Sequence, residues 1–497
     1  MAYTLGIDIG TFEAKACLVD ASTGQVVAEA ARRHEMKVPQ PGWAEHDAGA
    51  DWWQGFALLS RQVIAESGID PKEIAAVGAS GIGPCMLPVS AEGEPLMNAV
   101  LYGVDTRAAR EITELTDAIG VEALLERTGN GLTSQSVGPK ILWLRRNRPE
   151  VFARTRYIMN CATWLCYRLT GEVVIDHYSA SGYHPFYDIR SQSWSRDFDE
   201  QIAPAALLPR LLWSTEVAGY VTERAAAETG LAEGTPVIAG TIDAASEAVS
   251  VGVGQPGQLM LMYGSTMFLV LVTGERISDP RLWYAPWLLP GRHALMSGTA
   301  TAGTLTRWFI SQFARDLPEG EVFARLGAEA AGSPPGARGL LMLPYFSGER
   351  TPIHDPGAKG ILFGLDLSHD RGDIYRALLE GIGYGLDQIL ATYREAGAEI
   401  SEIAAVGGGT RNQIWSQAVS DITGVEQVIR SRTTGAAYGD AFLAALGLGL
   451  IEEDEISRWN PRQRLLEPDP ALAALYDEGA RRFAALYQAT RPLLPEE

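Results

Sequence analysis

Leu5-Gly-Ile-Asp-Ile-Gly-Thr-Phe-Glu-Ala-Lys-Ala-Cys-Leu-Val-Asp20 is the stretch from which the rest of the chain is read. Two apolar runs, 5–9 and 16–19, flank a short segment holding Gly10, Thr11 and Lys15. The pattern predicts a tight β-hairpin. Asp8 stands among aliphatic residues, where a carboxylate is costly unless something pairs with it. Beside it, Gly10 and Thr11 offer backbone N–H groups and a hydroxyl that hold an anion. An acid next to an anion cradle points to metal plus phosphate. One short motif is weak by itself, so corroboration has to come from elsewhere in the chain.

At 497 residues the chain exceeds what one core supports, and two or more domains are expected. Hydrophobic residues at 46% and charged residues at 21% describe an ordinary globular protein. The net charge of −20 argues against nucleic acid, whose binders present basic surface, and against anionic membranes. A nucleotide remains compatible when it arrives as a magnesium complex held by backbone amides. Cys17, Cys85, Cys161 and Cys166 show no CxxC spacing, which disfavours zinc and thioredoxin-type redox chemistry. So few cysteines in a long chain suit a reducing compartment. No basic segment leads into an apolar one near the start. The longest apolar run, 259–272, is broken by Gly264-Ser265-Thr266 and is too short to span a bilayer. A cytoplasmic protein with no membrane partner is expected. The seven histidines show no metal spacing.

Outward from the hairpin, residues 25–31 read as a third antiparallel strand. A loop, Pro39-Gln-Pro-Gly-Trp-Ala-Glu-His-Asp47, leads to an amphipathic helix over 51–66 with Trp52, Phe56, Leu59 and Val63 on its core face. Residues 73–78 form a buried strand entering the glycine loop Ala79-Ser-Gly-Ile-Gly-Pro84, and 86–89 another strand. Helices are predicted over 108–120 and 163–169, with an aromatic loop at 179–188. Strand 236–239 runs into Gly240-Thr-Ile-Asp243 and a small-residue helix over 244–250. Val251-Gly-Val-Gly-Gln-Pro-Gly257 is rich in breakers and is the candidate domain boundary.

The second half repeats this outline. Strands 258–263 and 267–273 surround Gly264-Ser265-Thr266, again a hairpin with a glycine–hydroxyl turn. Glu402-Ile-Ala-Ala-Val-Gly407 then repeats Glu73-Ile-Ala-Ala-Val-Gly78 residue for residue. The shared order implies duplication. Two α/β domains, 1–250 and 251–497, are expected to leave a cleft between them, a favoured place for ligands. Near the end, 471–486 sets Leu472, Leu475, Tyr476, Phe483 and Leu486 on one helical face, for packing or, alternatively, a homodimer contact.

No GxxxxGK[ST], no GxGxxG after the first strand, no HExxH and no GxSxG occurs, so P-loop, Rossmann, zincin and hydrolase-elbow chemistries are disfavoured. Asp243 lies at a strand end and a helix start. One reading is an ordinary N-cap. The other is an acid kept ionised by the helix N-terminus, facing a substrate hydroxyl as the base for phosphoryl transfer. Gly407-Gly-Gly-Thr410 reads either as a plain strand–helix turn or as backbone left bare for a flat ligand such as adenine.

These segments together resemble the FGGY carbohydrate kinases of the actin–hexokinase superfamily, in the style of xylulokinases. The resemblance runs to about residue 450. Its markers are Gly6-Ile-Asp-Ile-Gly-Thr11, Pro41-Gly-Trp-Ala-Glu-His-Asp47 with Trp52-Trp53, Gly240-Thr-Ile-Asp243, Tyr263-Gly-Ser-Thr266, Ser347-Gly-Glu-Arg-Thr-Pro352, Gly407-Gly-Gly-Thr410 and Gly435-Ala-Ala-Tyr-Gly-Asp440. It implies two ribonuclease-H-like, actin-like ATPase domains closing on a small sugar or polyol, ATP and Mg2+. By resemblance Asp243 matches the catalytic base. Asp8 matches the acid that helps place the metal, with Asp243 beside it. Thr11 and Lys15 belong to the first phosphate hairpin and Gly264, Ser265 and Thr266 to the second. Gly407, Gly408 and Asn412 match the adenosine segment.

The acceptor pocket departs from the family pattern. Ser80-Gly-Ile-Gly-Pro-Cys85 puts Gly83-Pro84 where xylulokinases carry Met-His. Ala244 replaces the Asn that usually follows the catalytic Asp, and Tyr102-Gly-Val-Asp105 replaces Trp-Asn-Asp. Each neutral hydrogen bond lost to the sugar is worth roughly 0.5–1.5 kcal/mol. The candidate acceptor contacts are Gly83, Pro84, Tyr102, Asp105, Arg107, Asp243 and Ala244. Asp105 and Arg107 also read as a solvated turn pair, and Tyr102 as core. The functional expectation is ATP-dependent phosphorylation of D-xylulose to D-xylulose 5-phosphate. The alternatives are another ketose or polyol (ribulose, glycerol, erythritol), or a non-catalytic nucleotide-binding protein that kept the fold. An actin- or chaperone-like ATPase is disfavoured by the segments 43–53 and 347–352.

Overall fold

The computed structural model describes residues 2–494. Strand β1, Tyr3–Ile9, pairs antiparallel with β2, Glu13–Asp20, and β3, Gln25–Arg33, continues the meander. The register sets Asp8 opposite Lys15. On its other side β1 pairs parallel with β4, Ile74–Gly81, so the predicted strand continues three residues further and carries Ser80 into the sheet. Beyond β4 lie β5, Val217–Tyr220, at the edge and β6, Pro236–Ile238, while β7, Thr241–Ile242, pairs with the last residues of β4. β7 delivers the chain into the helix Asp243–Ser250.

The second sheet is built on the same plan. β8, Gln258–Tyr263, and β9, Met267–Thr273, form the hairpin, with β10, Trp283–Pro286, and β11, His293–Gly298, beyond it. β12, Glu402–Val406, pairs parallel with β8 as β4 does with β1, followed by β13, Gln427–Arg430, and β14, Arg462–Leu466. The repeated Glu-Ile-Ala-Ala-Val-Gly segments thus occupy equivalent strands. The predicted helix over 51–66 begins as a wide turn, Ala48–Trp53, and continues as Gln54–Ser67, with Asp47 accepting the N–H groups of Gly49 and Ala50. The final helix, Ala473–Thr490, buries Tyr476, Phe483 and Leu486 against Tyr345 and Tyr384, while Leu475 stays 43% exposed.

One element crosses between the halves. The helix Ala436–Gly447 lies in sequence between β13 and β14 of the second sheet but packs on β1, β4 and the helix Asp243–Ser250 of the first. The approach is backbone to backbone. A Cβ at Gly6 would stand 1.9 Å from the carbonyl oxygen of Ala437, and one at Gly78 would stand 2.3 Å from that of Asp440. Both distances lie far inside van der Waals contact, so only glycine permits this seating.

Overpacking of this kind costs about 1–3 kcal/mol, and more where only backbone can yield. Gly6→Ala is expected to lower stability by at least that range in urea denaturation. Gly254→Ala, at a position with nothing within 4 Å of a Cβ, is expected to change it by less than ~1 kcal/mol. Equal effects of the two substitutions would contradict the packing described.

Candidate active site

The carboxyl ends of β1, β4 and β7 meet the second sheet around a cavity of about 390 Å³. Asp8, Asp243 and Glu247 all line it. Burial raises the Asp8 carboxyl to about 6, against the Ser80 hydroxyl and the charge of Lys15. Asp243 is pushed well above the ordinary carboxylate range, first by burial and then by Asp8, with only the Ala244 N–H at 2.7 Å in opposition. Glu247 rises to about 7, by burial and then Asp8. Asp243 is not an N-cap: Ile242 is the extended residue before the helix, and Asp243 is its first helical residue.

Asp8 and Asp243 open on the cavity as hard oxygen donors. That chemistry fits magnesium, which takes one or two carboxylates and completes its shell with phosphate oxygens and water. Among the described residues no group of three or more His, Cys, Asp or Glu is arranged to hold a metal ion by itself.

Behind Asp8 lies a second layer that the sequence did not assign. Ser80 Oγ is 3.2 Å from Asp8 Oδ1 and 2.7 Å from Asp440 Oδ2, and Ser246 Oγ donates to Asp440 Oδ1 at 2.6 Å. One hydroxyl proton cannot serve two carboxylates. Burial, then Asp8, pushes the Asp440 carboxyl well above the ordinary carboxylate range.

The first hairpin turn is held from outside. His34 Nε2–H donates to the Gly10 carbonyl at 2.9 Å and His46 Nε2–H to the Thr11 carbonyl at 3.1 Å. Trp52 Nε1–H donates to His46 Nδ1 at 3.1 Å, which fixes the neutral tautomer. Thr11 lines the cavity, whereas Lys15 lies off the wall, 43% exposed and 3.5 Å from Glu13. In the second hairpin Thr266 lines the cavity, and Gly264 N–H closes the turn on the Thr266 carbonyl at 3.1 Å. The carbonyls of Gly264 and Ser265 receive N–H groups from 302–304, where the helix Gly303–Phe313 begins. Gly264, Ser265, Gly407, Gly408 and Asn412 lie outside the cavity wall. They cluster at the adjacent ends of the parallel strands β8 and β12. Gly407 adopts φ +96° against Tyr263, and Gly408 faces open space. Asn412 caps the helix Gln413–Thr423 by accepting the Trp415 N–H at 3.2 Å.

Gly83, Pro84, Tyr102 and Ala244 line the cavity, with Tyr102 Oη 3.4 Å from Thr11 Oγ1. Asp105 and Arg107 do not, and neither are they a solvated turn. Asp105 is 1% exposed and accepts the Ala44 N–H at 2.7 Å. Arg107 pairs with Asp105 at 2.8 Å and Glu45 at 2.9 Å and stacks over Trp43 at 3.9 Å. The two residues brace the loop 41–47 behind the wall. The wall also carries Asn130, Thr133, Gln135, Ser181 and His184, which no sequence motif announced. Asn130 Nδ2 donates toward the carbonyls of Thr128 and Tyr284 and lies 3.2 Å from His184 Nε2. Its Oδ1 accepts the Tyr284 N–H, and His184 Nδ1 lies 3.1 Å from Ser136 Oγ. Burial lowers His184 to about 4.

Two hairpin-led sheets sharing an acid-lined cavity define a two-domain α/β enzyme of the actin and hexokinase ATPase class. The N-terminal domain of the FGGY family of carbohydrate kinases matches residues 3–250 and its C-terminal domain residues 259–448. The chain belongs to this family and is a sugar-phosphorylating transferase. It is 31% identical to a xylulose kinase of Bacillus subtilis (strain 168), over 92% of this chain and 90% of that protein. It is 26% identical to an autoinducer-2 kinase of Salmonella paratyphi A, over 99% and 95%. Its fold matches the crystal structure of xylulose kinase from Rhodospirillum rubrum with a TM-score of 0.93, 32% identity and 99% coverage of both chains. No helix among the described residues is long and apolar enough to cross a membrane.

His184 sets a pH dependence. Its folded pKa, about 4, lies below the ordinary 6.5, so the neutral ring contributes stability above pH 6.5 that is lost as pH falls toward 4. The loss is on the order of 3 kcal/mol at its limit. Urea denaturation across this window is expected to show a steeper loss for the native chain than for His184→Gln. Identical slopes would contradict a buried neutral ring.

Proposed function

We propose that the chain transfers the γ-phosphoryl group of ATP to a hydroxyl of a small sugar, with Asp243 as general base. The observation that carries this reading is the Asp243 carboxylate, opening on the cavity and driven toward protonation by burial and Asp8. A carboxylate so placed is a stronger base than one in water, which suits removal of a hydroxyl proton. The acceptor O–H proton passes to Asp243, the oxygen attacks the γ-phosphorus, and the bond to the bridging β–γ oxygen breaks to release ADP. Asp8 and Asp243 would hold magnesium, which neutralises phosphate charge when bound. Thr11 and the Gly264–Thr266 turn orient the phosphates, with Lys15 adding charge from the strand behind. Gly407 and Gly408 leave room for the adenine, and Asn412 shapes that segment through its cap. On this reading 1–250 carries the acceptor and 251–497 the nucleotide, with the last three residues outside those described and the helix Ala436–Gly447 reaching back.

For the acceptor, D-xylulose yielding D-xylulose 5-phosphate is the first candidate, supported by the xylulose kinases among the relatives. One observation favours a different ketose or polyol. Gly83, Pro84 and Ala244 offer no side-chain hydrogen bond, and Asn130 and His184 are occupied by protein partners. The facing wall of Met262, Phe268, Trp283 and Met296 is apolar apart from thioether sulfur and the indole N–H. Polar contact with an acceptor then falls to Thr133, Gln135 and Ser181, a set that differs from the family pattern lost at Gly83-Pro84 and Ala244.

ADP release across D-xylulose, L- and D-ribulose, glycerol and erythritol tests both parts. At least one acceptor is expected to stimulate release, and Asp243→Ala to reduce that stimulated rate by ~10²–10⁴-fold. Equal acceptor-dependent rates for the two proteins would sink the assignment. Nucleotide binding without transfer to any acceptor would favour the non-catalytic alternative.

A further inference from the structure

Arg350 is left unused by the reading above. It lies in Ser347-Gly-Glu-Arg-Thr-Pro352, a segment prominent in the sequence but given no role there. An exposed arginine without a partner is ordinary, and three features set this one apart. Among the described residues it is the only Lys or Arg lining the cavity, which Asp8, Asp243 and Glu247 line as well. Among the described residues its guanidinium makes no ion pair or hydrogen bond, whereas nearby Arg281 is held by Asp279 and Glu395. Its backbone, by contrast, is firmly braced. The Arg350 N–H donates to Glu349 Oε1 at 2.7 Å, and the same buried oxygen takes the Ala300 N–H at 2.6 Å. The His354 N–H donates to the Arg350 carbonyl at 2.6 Å, and the Thr351 N–H reaches the Gly298 carbonyl at the end of β11 at 3.3 Å. A rigid stem thus presents a free guanidinium at the cavity.

Arg350 shares the cavity wall with Tyr102, which stands on the first half beside Thr11. It is therefore held on the second half while lining the same cavity as Asp8 and Asp243 of the first. A triphosphate entering a space with three carboxylates brings further negative charge. Phosphoryl transfer moves that charge onto the equatorial and leaving oxygens, and a planar guanidinium matches such oxygens with two parallel donors.

We propose that Arg350 is a catalytic residue that contacts the transferred phosphoryl group from the second half of the chain, opposite Asp243. The proposal rests on the kinase reading and adds a cationic group to it. A carboxylate on a sugar-acid acceptor would satisfy the same guanidinium, so the experiment has to separate the two anions.

Arg350→Ala and Arg350→Lys are compared with the native full-length chain on the best neutral acceptor. For Arg350→Ala, kcat is expected to fall ~10²–10³-fold, as for loss of one positioned transition-state donor, with the acceptor KM changed less than about threefold. Arg350→Lys restores charge without the fork and should recover part of the rate. Guanidinium chloride far below denaturing concentration should stimulate Arg350→Ala and leave the native enzyme unchanged. ADP with aluminium fluoride, which imitates the phosphoryl in flight, should lose at least ~10-fold in affinity for Arg350→Ala while ADP alone binds equally. The proposal is overturned by kcat within about threefold of native, by an effect confined to the KM of sugar acids, or by a loss that tracks a lowered melting temperature without guanidinium rescue. If the native chain transfers phosphate to no acceptor, the kinase reading fails and this proposal with it. If the native chain is active and Arg350→Ala keeps pace, this proposal alone fails.

Discussion

The seating of the helix Ala436–Gly447 on β1 and β4 is the contact on which the site depends. Without Cβ atoms at Gly6 and Gly78, helix and sheet backbones approach closely enough to bury Asp440 directly behind Ser80 and Asp8. Asp440 is 1% exposed, and its oxygens meet hydroxyls from two different elements. The helix arrives from the far end of the chain. The acids of the first half are therefore assembled only when the second half has folded around them. Packing and electrostatics are linked here, because the same close contact that excludes water also removes solvent from the carboxylates.

That exclusion explains the direction of every shift at the site. Asp8, Asp243, Glu247 and Asp440 all rise, and burial is the largest cause in each. The protein leaves these acids short of counter-charge. On the proposed reading a nucleotide carrying magnesium would supply it together with the phosphoryl group. On that reading Asp243 would serve as base beside the metal, and the two roles are compatible because a bound cation would favour its charged form.

How much of this was legible depended on the range of the interactions. Hairpins and repeated strands are local in sequence, and their alternating and glycine-bounded patterns placed β1, β2, β8 and β9 closely. The duplicated Glu-Ile-Ala-Ala-Val-Gly segments announced equivalent strands because both must be small and buried beside a hairpin strand. Asp243 was visible as an acid at a strand–helix junction, but which residue took the cap depended on one ψ angle at Ile242. Asp105 and Arg107 read as a turn pair because they are two residues apart. Their decisive partners, Trp43 and Glu45, lie about sixty residues away and cannot be inferred from spacing. The same limit hid Asn130, His184 and the partnership of Asp440 with Ser80. The crossing of 436–447 to the other sheet was hidden too, since an apolar, small-residue helix fits either half equally well in sequence terms.

The central claim is that buried acids at the end of β1 await a cation delivered with the nucleotide. Titration calorimetry of ATP with and without magnesium, on the native chain and on Asp8→Asn, tests it most directly. The account predicts that the native chain binds the magnesium complex at least ~10-fold more tightly than metal-free ATP, and that Asp8→Asn narrows the difference by improving metal-free binding. Equal affinity of the native chain for ATP in magnesium and in chelator would contradict it.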